Sequence, residues 1–371
     1  MVGAEDIALD PSNMAEHIGS FVDQLEQSTL EPIDIEMEFK RLVICGMGGS
    51  AISGDILADY SFELSEVPII VVRGVQLPSW ASEGTLAVVT SYSGNTKETL
   101  ELYSQALDQG CHIVGISSGG QLEEMCREDG VLHVKVPEGI QPRCALGFLL
   151  GYLGNLMESL GLSPCRSEIQ KVLPALRRKR DILVADSEEN PARALAQRLM
   201  DKIPVIYAYP YMTSSALRWK NQFNENSKMI AFHGTIPEFN HNEIVGWIEG
   251  GSEKPCVPVF LYDKDAPELL RHMMDASLEA MRESGHEVEV VEIEGDSILE
   301  KNLFSIMYGD FTSLHLAYLN QVDPTAVKSI MSLKDRLRAA LARHAEEKAA
   351  RKAAKEDDED GRRKRTRKSA E

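Results

Sequence analysis

The chain has 371 residues, of which 43% are hydrophobic and 26% charged, a globular composition long enough for two domains. Whole-chain disorder is excluded, and so is collagen, because the 27 glycines follow no triplet period. With 39 Lys and Arg against 58 Asp and Glu, the net charge is −19, which excludes a body built to wrap nucleic acid.

The charge is unevenly spread. From Lys334 to Glu371 there are 14 basic and 9 acidic residues, so a tail of +5 follows a body of −24. Cys45, Cys111, Cys126, Cys144, Cys165 and Cys256 form no C-x-x-C pair and no zinc spacing. Free, mostly buried thiols in a reducing compartment are expected. The opening MVGAEDIALDPSNM lacks the basic and apolar regions of a signal peptide, and no apolar run approaches a membrane span. These features predict a cytoplasmic protein with no membrane partner.

In chain order, Asp10-Pro11-Ser12-Asn13 precedes Met14, Ile18, Phe21 and Leu25 at helical spacing. Short apolar runs then alternate with helical stretches. Strands are predicted at 42–45, 67–72, 86–90, 112–116 and 131–136, with helices at 51–60, 95–107 and 122–127. Residues 143–185 read as mostly helical. The alternation resumes with strands at 203–207, 229–232, 257–261 and 287–293 and helices at 212–223, 266–284 and 297–320. Such alternation implies parallel sheets covered by helices on both faces, and two tandem α/β units is the economical reading. Asp323-Pro324 opens a last helix carrying Ala326, Val327, Ile330, Leu333 and Leu337. Beyond about Arg343 the apolar stripe ends, and EDDED and RRKRTRK predict a disordered, solvated tail.

Two loops stand where strands feed helices. Gly46-Met47-Gly48-Gly49-Ser50-Ala51 allows a tight turn, close approach of a ligand and free helix N–H groups for an anion. It also fits the dinucleotide fingerprint, but Arg73-Gly74 stands where an acidic residue would hold a ribose, which leaves an NADP oxidoreductase as a rival. Ser91-Tyr92-Ser93-Gly94-Asn95-Thr96 offers three Ser and Thr hydroxyls suited to a dianionic phosphate, or simply a helix cap. Two such loops at the carboxyl ends of strands in one sheet point to a phosphosugar site more than to a dehydrogenase. Arg143, at a helix start, suits an oxyanion or a plain surface position. Glu225, at a helix end, suits a general base or an exposed carboxylate. His241 in Phe239-Asn240-His241-Asn242-Glu243 suits a proton shuttle or a loop position. A metal site of His233, His241 and Glu243 has no recognised ligand spacing. Lys334 reads by default as a surface lysine.

Together, GMGGSAISGD, SYSGNT, PRCALG, RWKNQFNEN, FNHNEIVGW and DPTAVKSIMSLK stand in the order seen in bifunctional phosphoglucose/phosphomannose isomerases, and the chain resembles that family over about residues 10–335. SYSGNT marks the sugar isomerase (SIS) domain class; Asn224-Glu225-Asn226 with His241 sixteen residues after the glutamate marks this branch. The resemblance implies an α/β chain of two tandem SIS domains, each a parallel sheet flanked by helices. The boundaries expected are an N-terminal helical segment (1–34), a first SIS domain (35–160), a helical connection (161–190), a second SIS domain (191–340) and a charged tail (341–371).

It further implies a homodimer that interconverts glucose 6-phosphate or mannose 6-phosphate with fructose 6-phosphate, with no cofactor and no metal. Gly49, Ser50, Ser91, Ser93 and Thr96 would bind the phosphate. Arg143 would stabilise the enediolate, and Glu225 would carry the proton between C1 and C2. His241 from the neighbouring subunit, with Lys334, would open the sugar ring. The family's specificity threonine falls at Val327, with Thr325 two residues earlier, so the glucose activity is the firmer expectation. The other readings kept open are an isomerase of another phosphosugar and a non-catalytic phosphosugar-binding regulator.

Overall fold

A computed structural model describes residues 8–251 and 255–344. The apolar run after Lys40 forms β1 (Arg41–Cys45), buried from Leu42 onward. It lies between β2 (Ile69–Val72) and β3 (Thr85–Thr90), with β4 (His112–Ser117) and β5 (Leu132–Lys135) beyond β3, giving the order β2-β1-β3-β4-β5. Every neighbouring pair is parallel. All six residues of central β3 are buried, as expected for a strand covered on both faces, whereas the edge strands β2 and β5 are partly exposed.

The covering helices are α1 (Met14–Gly19), α2 (Phe21–Thr29), α3 (Gly48–Ser61), α4 (Lys97–Asp108), α5 (Gly120–Asp129), α6 (Leu146–Ser159) and α7 (Cys165–Val184). Asp10, rather than the Asn13 beside the helix, satisfies the first turn of α1. Its carboxylate accepts from the Met14 and Ala15 amides at 2.7 and 2.9 Å.

A second parallel sheet, ordered β7-β6-β8-β9, contains β6 (Ile203–Ala208), β7 (Phe232–Thr235), β8 (Cys256–Tyr262) and β9 (Glu289–Glu292). Its helices are α8 (Pro191–Leu199), α9 (Thr213–Glu225), α10 (Glu243–Ile248), α11 (Glu268–Glu283) and α12 (Ile298–Leu319). α12 is buried nearly all round and packs against α7, α8 and α9. The α/β architecture of two parallel sheets flanked by helices is therefore the one read from the sequence. In each sheet the first strand has its successor on one side and the third strand on the other. That reversal of strand order opens a crevice at the carboxyl ends, where α/β sheets bind ligands.

Four elements differ from the sequence reading. The strand predicted at 229–232 begins at Phe232, because the C-terminal end of α9 claims the preceding amides. Met229 N–H donates to the Phe223 carbonyl at 3.1 Å and Ala231 N–H to Asn224 Oδ1 at 3.2 Å. The last helix starts at residue 328, not at Asp323-Pro324, since the carbonyls of residues 323–325 are bound by Lys228 and Arg143. α8 and α10 have no counterpart in the sequence reading, although Asn190 caps α8 through the Ala192 and Arg193 amides and Pro191 occupies its first turn.

The chain divides into two compact units, one through Thr325 and one from Ala326 onward. In the second unit, 328–344 is an exposed helix. The disorder expected of the charged tail falls on residues 345–371, outside the described residues. Among the described residues no helix is long and apolar enough to cross a membrane. All six cysteines are free thiols, four of them buried, and burial pushes the Cys45, Cys144 and Cys165 thiols up to about 12.

Candidate active site

β1 and β3 are adjacent, so the loops leaving their carboxyl ends lie side by side. The first loop enters α3 at Gly48, and the first turn of that helix carries no acidic residue against its N–H groups. The second enters α4 after Thr96. They are joined where the Tyr92 N–H donates to Ser50 Oγ at 3.2 Å. Within the second loop Ser91 Oγ donates to Thr96 Oγ1 at 3.0 Å, and Ser93 Oγ accepts the Asn95 N–H. Gly94 has φ +65°, and a Cβ there would collide with the Gly119 carbonyl, so this turn requires glycine. Gly49, Ser50, Ser91, Ser93 and Thr96 thus share one small region of backbone amides and hydroxyls.

The third wall is a 3₁₀ turn, Pro142–Cys144. Gly49 lies against it: a Cβ at that position would stand at ordinary contact distance, 3.4 Å from the Pro142 carbonyl oxygen and 3.6 Å from Arg143 Cα. Arg143 is buried, and nearly all of its guanidinium is spoken for. Nε donates to Asn226 Oδ1 at 2.8 Å, and Nη2 donates to the Pro324 and Thr325 carbonyls at 2.6 and 3.0 Å. Nη1 lies 3.7 Å from Glu225 Oε2. Glu225 ends α9, and its side chain is 34% exposed, so the carboxylate is open to a ligand on one side and faced by a cation on the other. The Thr325 hydroxyl beside this turn is buried without a partner.

Lys228 clasps the same corner. Its ammonium donates to the carbonyls of Glu225 and Asp323, both at 2.7 Å. Burial and then the nearby Arg143 charge pull its pKa down to about 8, against the opposing pull of Asp323 and Glu225. A cradle for a dianion, a partly open carboxylate and a fixed guanidinium therefore meet in one place. That set can bind a phosphate, move a proton and stabilise an oxyanion formed beside it.

Known proteins share this architecture. The family model described as the bacterial phospho-glucose isomerase C-terminal SIS domain matches residues 188–337. The bifunctional phosphoglucose/phosphomannose isomerase of Caldicellulosiruptor bescii is 38% identical over 310 residues, covering 81% of this chain and 90% of that protein. The chain belongs to the bifunctional phosphoglucose/phosphomannose isomerase family. Another relative of that name, from Aquifex aeolicus, is 32% identical over 303 residues, 81% of this chain and 91% of that one. In fold, the chain resembles the crystal structure of a hypothetical protein from Thermus thermophilus, with TM-score 0.66 and 17% identity over 91% of this chain and 90% of that one.

Seven of the nine site residues expected from the family resemblance are gathered here: the five phosphate-loop residues, Arg143 and Glu225. His241 is not joined to them. It is the exposed last residue of a 3₁₀ turn, Glu238–His241, whose Phe239 is buried, and no hydrogen bond or ion pair links its side chain to Arg143 or Glu225. Lys334 lies in the second compact unit, on the exposed helix 328–344. Among the described residues no three His, Cys, Asp or Glu side chains converge as a metal site requires. Sequence reasoning does not single out Lys228, Arg218 or Asp310 as parts of this neighbourhood, and it names Asn226 only as part of the Asn224-Glu225-Asn226 motif. Asn226 and Arg218 lie inside the quoted RWKNQFNEN motif, which is the available signal; Asp310 gives none.

Proposed function

We propose that this chain is an isomerase interconverting glucose 6-phosphate and mannose 6-phosphate with fructose 6-phosphate, through an enediolate and without a metal. The observation that carries the reading is the Glu225 carboxylate 3.7 Å from the buried Arg143 guanidinium, beside two serine- and glycine-rich loops at the crevice of a parallel sheet. The names of the relatives support the substrates. Phosphate binding at Gly49, Ser50, Ser91, Ser93 and Thr96 anchors the sugar away from the reacting carbons and supplies positioning energy. Glu225 removes the proton from one of C1 and C2 and returns it to the other, so a single base serves both directions. Arg143 faces the oxyanion that grows as the proton leaves.

The family resemblance adds ring opening by His241 from a neighbouring copy, assisted by Lys334. In this reading the exposed His241 serves a second chain, and the working form is a homodimer. A single 41.1 kDa species in sedimentation at assay concentration would contradict it. The same resemblance supports a division into two SIS domains, at about 35–160 and 191–340, and a cytoplasmic address. Conversion of glucose 6-phosphate and, separately, mannose 6-phosphate to fructose 6-phosphate with a chelator present tests the whole proposal. Turnover of both is expected. Loss of activity on chelation would end the metal-free claim, and binding without turnover would turn the protein into a phosphosugar sensor.

A further inference from the structure

Behind Arg143 lies a closed, buried polar ring. Arg218, on α9, is 2% exposed and donates through Nε and Nη2 to the Asp310 carboxylate of α12 at 3.0 and 2.8 Å. The same Nη2 donates to the Arg143 carbonyl oxygen at 2.7 Å. From Arg143 the ring continues through Nε to Asn226 Oδ1. Asn226 Nδ2 donates to Ser313 Oγ at 2.9 Å, and Ser313 Oγ donates to the Asp310 carbonyl at 2.7 Å. Asn226 and Ser313 are fully buried. Burial works against the Arg218 charge, but the Asp310 carboxylate outweighs it and holds the guanidinium above its ordinary value.

A buried ion pair is a poor device for stability alone, since apolar residues of similar volume do as well or better. What this pair does is geometric. It grips the main chain of Arg143 from one side while Asn226 grips its side chain from the other. Both grips are referred to the same turn of α12, and Arg218 and Asn226 flank Glu225 on the same chain segment. We infer that Arg218 and Asp310, with Ser313, are positioning residues that hold the Arg143 guanidinium in register with the Glu225 carboxylate; this rests on the isomerase reading of that site. It also deepens that reading, because none of the three residues lies among the groups assigned to the substrate. Displacing a catalytic group by about 1 Å costs on the order of 100-fold in rate, so the ring's effect falls on the chemical step rather than on phosphate binding.

The test uses Asp310→Asn, which keeps the volume and leaves Arg218 without its counter-charge, and Ser313→Ala, which frees Asn226 without touching a charge. The expected result is a fall in kcat of about 10- to 100-fold for Asp310→Asn and a smaller fall for Ser313→Ala. Affinity for fructose 6-phosphate stays within about twofold. Affinity for a planar hydroxamate analogue of the enediolate bearing the same phosphate falls by the same factor as kcat. A merely structural role would lower the melting temperature and move all three quantities together, and that result would overturn the inference, as would folded variants with wild-type kcat.

A crystal structure of Ser313→Ala reads the same point without activity. The Arg143–Glu225 separation should depart from 3.7 Å, and an unchanged separation would refute the positioning role. Failure of the wild-type protein to turn over either sugar phosphate would instead remove the isomerase reading. Whether the ring sets Arg143 would then be decided by that separation.

Discussion

Arg143 has its Nε and Nη2 committed to protein acceptors, so only Nη1 faces Glu225. This arrangement depends on the planar fork of a guanidinium. A lysine at 143 keeps a charge but cannot hold Asn226 and the 324–325 carbonyls while presenting a donor to the site. Arg143→Lys is therefore expected to lose about 100-fold or more in kcat while still binding fructose 6-phosphate through the loops. Wild-type kcat in that variant would remove Arg143 from the oxyanion role. Residue type and motif make Arg143 and Glu225 legible in the sequence. Their mutual approach is not, because it is made by contacts between segments more than 80 residues apart. The roles of Arg218 and Asp310 are illegible for the same reason.

At the scale of elements, α3 and α9 each carry one part of the site. The proposed phosphate loop opens α3, and Glu225 ends α9. Asp59, near the end of α3, accepts the Ser214 N–H at 3.0 Å in the first turn of α9. It therefore ties the phosphate helix to the base helix. Burial raises the Asp59 carboxyl from 3.8 to about 6, against the Ser214 hydrogen bonds that favour its charge. A raised acid contributes stability that is fully present below its unfolded pKa of about 4 and is lost as pH rises through about 6. Asp59→Asn keeps an acceptor for Ser214 and removes the titration. The variant should gain stability relative to wild type between about pH 4.5 and about pH 7, seen as a growing difference in urea midpoint. An equal difference at both pH values would contradict this account.

Element boundaries are legible wherever local chemistry decides them, as in the buried runs of β1, β3 and β8. They fail where a group outside the element competes for its backbone. Lys228 and Arg143 hold residues 323–325 out of the last helix, and the C-terminal end of α9 delays β7. The first of these lies at the candidate site, where backbone carbonyls serve the Arg143 and Lys228 side chains instead of regular structure.

At the scale of the whole molecule, the two sheets repeat one strand order with different loops. In the first, β1 and β3 end in glycines and hydroxyls. In the second, β8 ends at Asp263, whose carboxylate is already paired with Lys301 at 2.8 Å and takes a hydrogen bond from Tyr211. In the proposed mechanism the phosphate site lies at the first sheet, and the second supplies Glu225 on α9. The acidic body leaves capture of the anionic substrate to local amides and hydroxyls rather than to a broad positive field. The mechanism converges on one atom, the hydrogen on C2 of the sugar phosphate. The decisive measurement is exchange of that hydrogen with deuterated water, followed by NMR, for wild type and for Glu225→Gln. Wild type should exchange it during turnover of glucose 6-phosphate, and Glu225→Gln should bind the sugar phosphate with no exchange. Exchange that survives in Glu225→Gln would contradict the assignment of the base and, with it, the mechanism.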